Sequence, residues 1–183
     1  ESKRCIIGTG NSGIRKPAGV QITGREGYIY ENSNHRSKRK YRFIHSRRST
    51  GAGHEITAIV RHPEKITVQN PRLTVVKADI LKDKVEELVK GHDAVISAYN
   101  PGWDNPDIYN EQVKGYKAII SGVKRSGIKR LLVVGGAGTL EVAPGVQVLD
   151  TATFPANVKG GALATRETLY MLREEKELEW TFL

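Results

Sequence analysis

From residue 55 onward, short apolar segments alternate with longer segments of helical periodicity, and this alternation limits the fold more than any other feature. The short segments are apolar throughout, which is typical of parallel strands that are buried on both faces of a sheet. We therefore expect an α/β fold with a doubly wound parallel sheet in a single domain. The predicted strands are Glu55–Arg61, Leu73–Lys77, Ala94–Ala98, Leu131–Val134 and Trp180–Leu183, and the predicted helices are Lys82–Lys90, Glu111–Ser126 and Ala162–Lys176.

A glycine-rich motif lies near the beginning of the chain. The short apolar run KRCII at 3–7 leads into GTGNSG at 8–13, which has the pattern G-x-G-x-x-G. Glycines at these positions allow a tight turn and let backbone N–H groups approach a pyrophosphate. We therefore expect residues 1–13 to form a first strand and a phosphate-binding loop that contains Gly8, Gly10 and Gly13.

The next segment, residues 14–53, does not fit the alternation, since it has no helical period. It contains Pro17 and several glycines, and residues 31–50 carry seven basic side chains and one acidic. Clustered cations can bind nucleic acid, but residues 51–183 hold 17 basic and 17 acidic side chains, which excludes a uniformly basic nucleic-acid-binding protein. We interpret the segment as an irregular basic insertion and do not expect a nucleic-acid partner; a disordered insertion is the alternative to a binding arm.

Another interpretation of the basic insertion concerns the gene. Codons can be chosen for residues 30–40 such that a shift of one nucleotide yields the peptide M-K-I-A-I-I-G-A-S-G. That peptide would supply a start codon, a strand and a glycine-rich turn. We therefore hypothesise that much of residues 1–50 is translated in the wrong frame, and that the correct frame resumes near Gly53 and His54. Sequencing of the DNA would test this hypothesis.

Composition excludes several other classes of protein. The single cysteine, Cys5, rules out an intramolecular disulfide and a zinc site built from cysteines. No apolar run approaches the ~18 residues needed to span a membrane, and no signal peptide opens the chain, so we expect a cytoplasmic protein without a membrane partner. The chain stops inside its last predicted strand, which indicates truncation at the C-terminus. The sequence leaves the oligomeric state open.

Residues 54–183 resemble the NmrA-like group of atypical short-chain dehydrogenases, especially its NAD(P)H-binding proteins and NADH-flavin reductases. The resemblance extends over the whole segment in order, with family-like spacing. It implies a Rossmann-type NAD(P)-binding body over residues 54–183. The motifs that carry it are GHEITAIVRHPEKI at 53–66, LTVVKADILKD at 73–83, GHDAVISAYNPG at 91–102, GYKAIISGVKRSGIKRLLVVGGAG at 115–138 and ELEWTFL at 177–183.

The resemblance implies an adenosine-binding side of the site. Arg61 lies where an acidic residue would select NAD, and an arginine there favours the 2′-phosphate of NADP through charge-assisted hydrogen bonds. The alternative is an ordinary surface arginine. Asp79 and Ile80 would flank the adenine, although Asp79 would also suit the first turn of the next helix as a cap.

The resemblance also implies a nicotinamide-binding side. Ala98 and Tyr99 would lie along the cofactor toward the nicotinamide, although Tyr99 would equally suit an aromatic position on the rim. Gly135 and Gly136 would form the floor of the nicotinamide pocket, or a turn that merely ends a strand. These expectations give the cofactor as NADP or NAD and leave no metal site.

The catalytic residues of conventional alcohol dehydrogenases are missing. Those enzymes use a Tyr-x-x-x-Lys pair, in which the tyrosine is the general acid. No such pair follows Tyr109, Tyr116 or Tyr170, and the serine expected after the fourth predicted strand is a glycine. We assign no catalytic residue and expect NADPH-dependent reduction of a flavin, such as FMN, or of a quinone-like acceptor by direct hydride transfer. The alternative is a non-catalytic redox sensor of the NmrA kind that acts through a protein partner.

Overall fold

The computed structural model describes residues 4–8, 54–66 and 69–183 of the 183-residue chain. Six of its strands form one parallel sheet in the order β3-β2-β1-β4-β5-β8, so the strand order reverses between β1 and β4. This confirms the predicted doubly wound sheet. The basic insertion at 14–53 lies outside the described residues. The strands are β1 (Arg4–Gly8), β2 (Glu55–Val60), β3 (Leu73–Lys77), β4 (Ala94–Ser97), β5 (Arg130–Val133), β6 (Glu141–Ala143), β7 (Val146–Gln147) and β8 (Glu179–Phe182).

The described helices are α1 (Val85–Val89), α2 (Ile108–Ser126) and α3 (Ala156–Glu174). Successive strand residues point to opposite faces of the sheet, and both faces are buried. Val95 and Leu131 belong to the large core cluster that includes helix residues, whereas Ile96 and Leu132 belong to a second cluster. Burial on both faces explains the apolar character of the central strands β4 and β5, whereas the edge strands β3 and β8 are only partly buried and include polar residues.

Helix α2 follows its predicted pattern at its C-terminal end. It stops at Ser126 because Gly127 adopts a positive φ of 83° and donates its N–H to the carbonyl of Lys124, an arrangement that glycine favours. Its start was predicted too late. The helix begins at Ile108, three residues before Glu111, and the N–H of Glu111 donates to the carbonyl of Asp107.

Two other helix predictions need correction. Helix α1 is shorter than the predicted Lys82–Lys90, because Lys84 is extended (ψ 105°) and the helix starts at Val85. Asp79 lies too far upstream to cap it, so that alternative was wrong. Helix α3 begins at Ala156, directly after Pro155, and not at residue 162. The predicted helix left out Gly160 and Gly161. A Cβ on Gly161 would lie 2.5 Å from the Trp103 ring, so the glycine at this position allows the helix to pack against Trp103.

The segment between β5 and α3, for which no strand was predicted, contains a short antiparallel hairpin. Strands β6 and β7 pair Glu141 with Gln147 and Ala143 with Val146, and Gly145 turns the chain with φ 75°. The strands are too short to show an apolar period, which is why the sequence did not predict them. The hairpin exposes Leu140, Val142 and Val146, whose exposed fractions are 62%, 58% and 41%.

Candidate functional site

The carboxyl ends of the sheet strands lie in register along one edge. Gly8, the last residue of β1, pairs with Ile59 on one side and with Ser97 on the other. The register continues from Ser97 to Val133 and from Val133 to Phe182. Because the strand order reverses between β1 and β4, this edge has the crevice in which ligands of doubly wound sheets bind.

Of the three predicted loop glycines, the structure places one at this crevice. Gly8 ends the strand that lies between the two halves of the sheet. Gly10 and Gly13 lie outside the described residues, so their role in binding phosphate stays a prediction.

Arg61 directly follows β2 and is exposed, yet its side chain reaches toward the other half of the sheet. Its Nη2 atom donates a hydrogen bond of 3.1 Å to the carbonyl of Pro101, in the loop after β4. Since β1 lies between β2 and β4, this contact links the two sides of the crevice. A guanidinium has five N–H donors, so Arg61 keeps donors for an anionic ligand. Nothing in the sequence indicates that the backbone carbonyl of Pro101 accepts this hydrogen bond.

Asp79 and Ile80 follow β3 at the same edge. The Asp79 carboxylate accepts a hydrogen bond of 3.0 Å from the N–H of Leu81, while the Asp79 N–H donates to Asp83 Oδ2 at 2.6 Å. These bonds form a local turn, and Lys82 Nζ lies 3.7 Å from the Asp79 carboxylate. Ile80 is half-buried and packs against the large core cluster. One oxygen of the Asp79 carboxylate, Oδ1, is therefore already used to stabilise this turn.

Ala98 and Tyr99 follow β4, and both are buried, with exposed fractions of 6% each. Tyr99 turns its ring onto helix α2, where it meets Tyr116 edge-on at a centroid distance of 5.9 Å. A Cβ at Gly115 would lie 2.1 Å from the Tyr99 ring. Gly115, a glycine within a predicted helix, was the signal in the sequence that a large side chain packs against the helix at this point. The prediction for Tyr99 did not use that signal.

The phenol of Tyr99 is the most unusual group at this edge. Its Oη is buried and has no hydrogen-bond partner in the part of the chain that the structure describes. Burial raises the pKa of Tyr99 to about 12; Arg61 opposes that rise, while Glu111 and Asp79 add to it. The hydroxyl is therefore a protonated donor at physiological pH.

Gly135 and Gly136 follow β5, and they differ in surroundings. Gly135 donates its N–H to the carbonyl of Leu183 at 2.7 Å, and a Cβ on it would lie 2.2 Å from the Phe182 ring. Gly136 is extended, with φ −159°, and the nearest atom to a Cβ there would be the Thr165 methyl at 3.9 Å. Close packing thus explains the glycine at 135, whereas position 136 would hold a small side chain.

The chemistry of this edge suits a dinucleotide. Arg61 offers a cation for phosphate, Tyr99 has an unused donor, and Gly136 keeps the backbone open beside β5. Within residues 54–66 and 69–183, no three His, Cys, Asp or Glu side chains are grouped so that they could hold a metal ion. The same described residues include no helix that is long and apolar enough to span a membrane.

Known proteins share both this fold and much of this sequence. The uncharacterised protein YwnB of Bacillus subtilis is 35% identical over 133 residues, which are 72% of this chain and 60% of YwnB. The chain thus spans less than two thirds of that curated relative. A proposed epimerase from Bacteroides thetaiotaomicron has a crystal structure with a TM-score of 0.71 and 37% identity, covering 100% of this chain and 70% of that one.

A proposed NADH-flavin reductase from Streptococcus pneumoniae is similar as well. Its crystal structure has a TM-score of 0.60 and 32% identity, covering 75% of this chain and 62% of that one. The model of the NAD(P)H-binding family matches residues 46–183, so it begins eight residues before the predicted start of the Rossmann body at 54. With the parallel sheet and the crevice beside Gly8, this match establishes that the chain belongs to the NAD(P)H-binding family.

Proposed function

We propose that this chain binds NADPH at the carboxyl edge of its sheet and supports hydride transfer to a flavin or a quinone-like acceptor. The observation that carries the proposal is the surroundings of Gly135 and Gly136, where a conventional dehydrogenase would have its serine. The groups closest to Cβ positions on these two glycines are the Phe182 ring, the backbone of Leu183 and the Thr165 methyl, none of which titrates. An acceptor that needs no protein acid fits these surroundings.

The chain's own residues would act by binding and orienting. Arg61 would hold the 2′-phosphate of the dinucleotide. The dinucleotide supplies a hydride when it is bound, and the acceptor would take its proton from water. Rate enhancement would then come from holding two rings together. The likeness to a proposed NADH-flavin reductase at 32% identity supports this acceptor class.

The apolar hairpin supports the same acceptor. Leu140, which precedes β6, Val142 on β6 and Val146 on β7 are exposed. These side chains follow the carboxyl end of β5 in the chain. An apolar surface beside the glycine turn would favour a planar aromatic acceptor over a small polar alcohol. A redox sensor would use this same surface to bind a protein.

The experiment that separates the two functions measures binding and turnover on the same sample. NADPH binding is followed by the fluorescence of the nicotinamide, and NADPH oxidation by absorbance at 340 nm, with FMN, with menadione as a quinone, and without acceptor. The proposal expects oxidation that depends on FMN or menadione. Tight binding with no turnover on either acceptor would contradict it and support the sensor.

A further inference from the structure

The Arg61 side chain crosses the place where a ligand of this fold lies. It starts at the end of β2, and its Nη2 atom donates a hydrogen bond of 3.1 Å to the carbonyl of Pro101, in the loop after β4. Strand β1 lies between these two strands and ends at Gly8. Ligands of doubly wound sheets bind outside the carboxyl ends of the strands, where the strand order reverses, so the side chain passes over that place.

The loop that carries the Pro101 carbonyl is held in place by its own contacts. The N–H of Gly102 donates a hydrogen bond of 2.8 Å to Asn100 Oδ1, and Gly102 has a φ of 122°, which glycine adopts without strain. Just beyond, the Trp103 ring lies against α3, since a Cβ on Gly161 would be 2.5 Å from it. The carbonyl is therefore a fixed acceptor, and the exposed arginine is the partner that can move.

Arg61 cannot serve both the Pro101 carbonyl and the 2′-phosphate of a dinucleotide. In doubly wound sheets that phosphate is bound beside the end of the second strand, which here is β2. The carbonyl of Pro101 lies beyond β1, and neighbouring strands are about 5 Å apart, so the two positions are separated by about 10 Å. One guanidinium is much smaller than this separation, and its spare donors move with it. The two partners therefore compete for the side chain.

We propose that the Arg61 side chain is a latch over the crevice, held by the Pro101 carbonyl, which the 2′-phosphate of NADPH releases and NADH does not. This inference rests on the proposed NADPH site and adds to it a way of rejecting NADH. NADPH replaces a bond to a neutral carbonyl by a stronger, charge-assisted bond to phosphate. NADH must displace the same side chain and offers no phosphate beside β2, so its affinity is lowered by the lost bond. Such selection against the wrong ligand complements attraction for the right one.

The first test measures the Kd of NADH and of NADPH for the unmodified protein, for Arg61→Ala and for the control Arg72→Ala, which removes an exposed arginine before β3. We expect Arg61→Ala to bind NADPH more weakly but NADH about 2-fold more tightly, because the competing hydrogen bond, which is only partly buried, is gone. Arg72→Ala should leave both Kd values unchanged. An affinity for NADH that is unchanged or lower in Arg61→Ala would overturn the inference.

A second measurement follows the Pro101 carbonyl itself by NMR. The chain has two Pro-Gly pairs, Pro101–Gly102 and Pro144–Gly145. Labelling proline carbonyls with ¹³C and glycine nitrogens with ¹⁵N therefore leaves two carbonyl signals in a spectrum that selects directly bonded ¹³C–¹⁵N pairs. The pair at Pro144 lies in the exposed hairpin and is the internal control. We expect NADPH and the Arg61→Ala replacement to move the Pro101 signal in the same direction, because both remove the guanidinium from this carbonyl, and to leave the Pro144 signal in place.

Two further results have distinct meanings. If NADPH binds but leaves the Pro101 signal where it is, Arg61 keeps its bond to the carbonyl and the latch is refuted. If the unmodified protein binds neither NADPH nor NADH, the proposed function fails before the latch is tested at all, and with it the inference that rests on it.

Discussion

At the scale of single residues, Arg61 has the most informative position. It follows β2, as the sequence predicted, and its guanidinium bonds the carbonyl of Pro101 on the far side of β1. The residue type and its place at a strand end could be predicted, because strand ends follow from the apolar pattern. Its partner could not, since every residue type has the same backbone carbonyl and nothing in the sequence singles out the one at Pro101. The turn of the Tyr99 ring onto α2 was equally hidden, because residues beyond a strand no longer alternate between two faces.

Replacing Arg61 with alanine should change the preference between the two nicotinamide cofactors. Loss of charge-assisted hydrogen bonds to the 2′-phosphate should weaken NADPH binding by roughly 10- to 100-fold. NADH lacks that phosphate, so its Kd should change less than about 3-fold. Fluorescence titration of both cofactors measures this, with Arg72→Ala as control because Arg72 is exposed and precedes β3 at the opposite edge. An equal loss of affinity for NADPH and NADH would show that Arg61 does not bind the 2′-phosphate.

At the scale of elements, the strands of the parallel sheet were predicted to within one residue at each end, and the helices less closely. Most residues inside these strands are apolar, so charged residues and glycines mark the strand ends closely. Helix ends depend on local turns such as that of Asp79 and Asp83, and on packing such as that of Gly161 against Trp103. Helix α2 illustrates this dependence, because it carries glycines on its buried side that no helix propensity would favour.

Gly122→Ala should test the approach of α1 to α2. In an exposed helix this change would stabilise the protein by up to about 1 kcal/mol. Here the new Cβ would lie 2.5 Å from Cβ of Val85 and 3.1 Å from the backbone nitrogen of Glu86, so we expect a loss of about 1–3 kcal/mol in the free energy of unfolding. Urea unfolding measures it, and Lys114→Ala on the exposed side of α2 is the control. A stabilised Gly122→Ala would mean that the two helices are free to separate.

At the scale of the whole molecule, the sequence was sufficient for the class of fold, while the site at the carboxyl edge of the sheet stays a prediction. The order β3-β2-β1-β4-β5-β8 and the family match over residues 46–183 agree with the predicted Rossmann body. The hairpin of β6 and β7 was not predicted, since two or three residues per strand show no period. The interpretation of residues 14–53 as an insertion stays a prediction. The hypothesis that much of residues 1–50 is translated in the wrong frame also stays one, and DNA sequencing would test it.

The stability of the whole fold should fall in alkali, in part through one buried group. The pKa of Tyr99 is raised by burial from 10.0 to about 12 in the folded protein, so between these pH values the unfolded chain has lost a proton that the folded one keeps. Stability therefore decreases as pH rises through this window, by at most about 1.4 kcal/mol per pH unit for one proton. Tyr99→Phe should lose stability less steeply from pH 10 to 12 in denaturant titrations than the unmodified protein or Tyr170→Phe. Identical slopes in all three proteins would contradict the raised pKa.

The central place of β1 has a consequence for the order of events during folding. Among the described strands, only β1 joins the pair β2 and β3 to the group β4, β5 and β8. Its residue Cys5 lies opposite Ile56 on one side and Ala94 on the other, so it closes loops of roughly fifty and ninety residues, and contacts so distant in the chain form slowly. Of the strands that the structure describes, β1 comes first in the sequence, but both its neighbours exist only after β4, at Ala94–Ser97, has been synthesised. We therefore expect the sheet to close late in folding, with β1 enclosed only after the strands on both of its sides have formed.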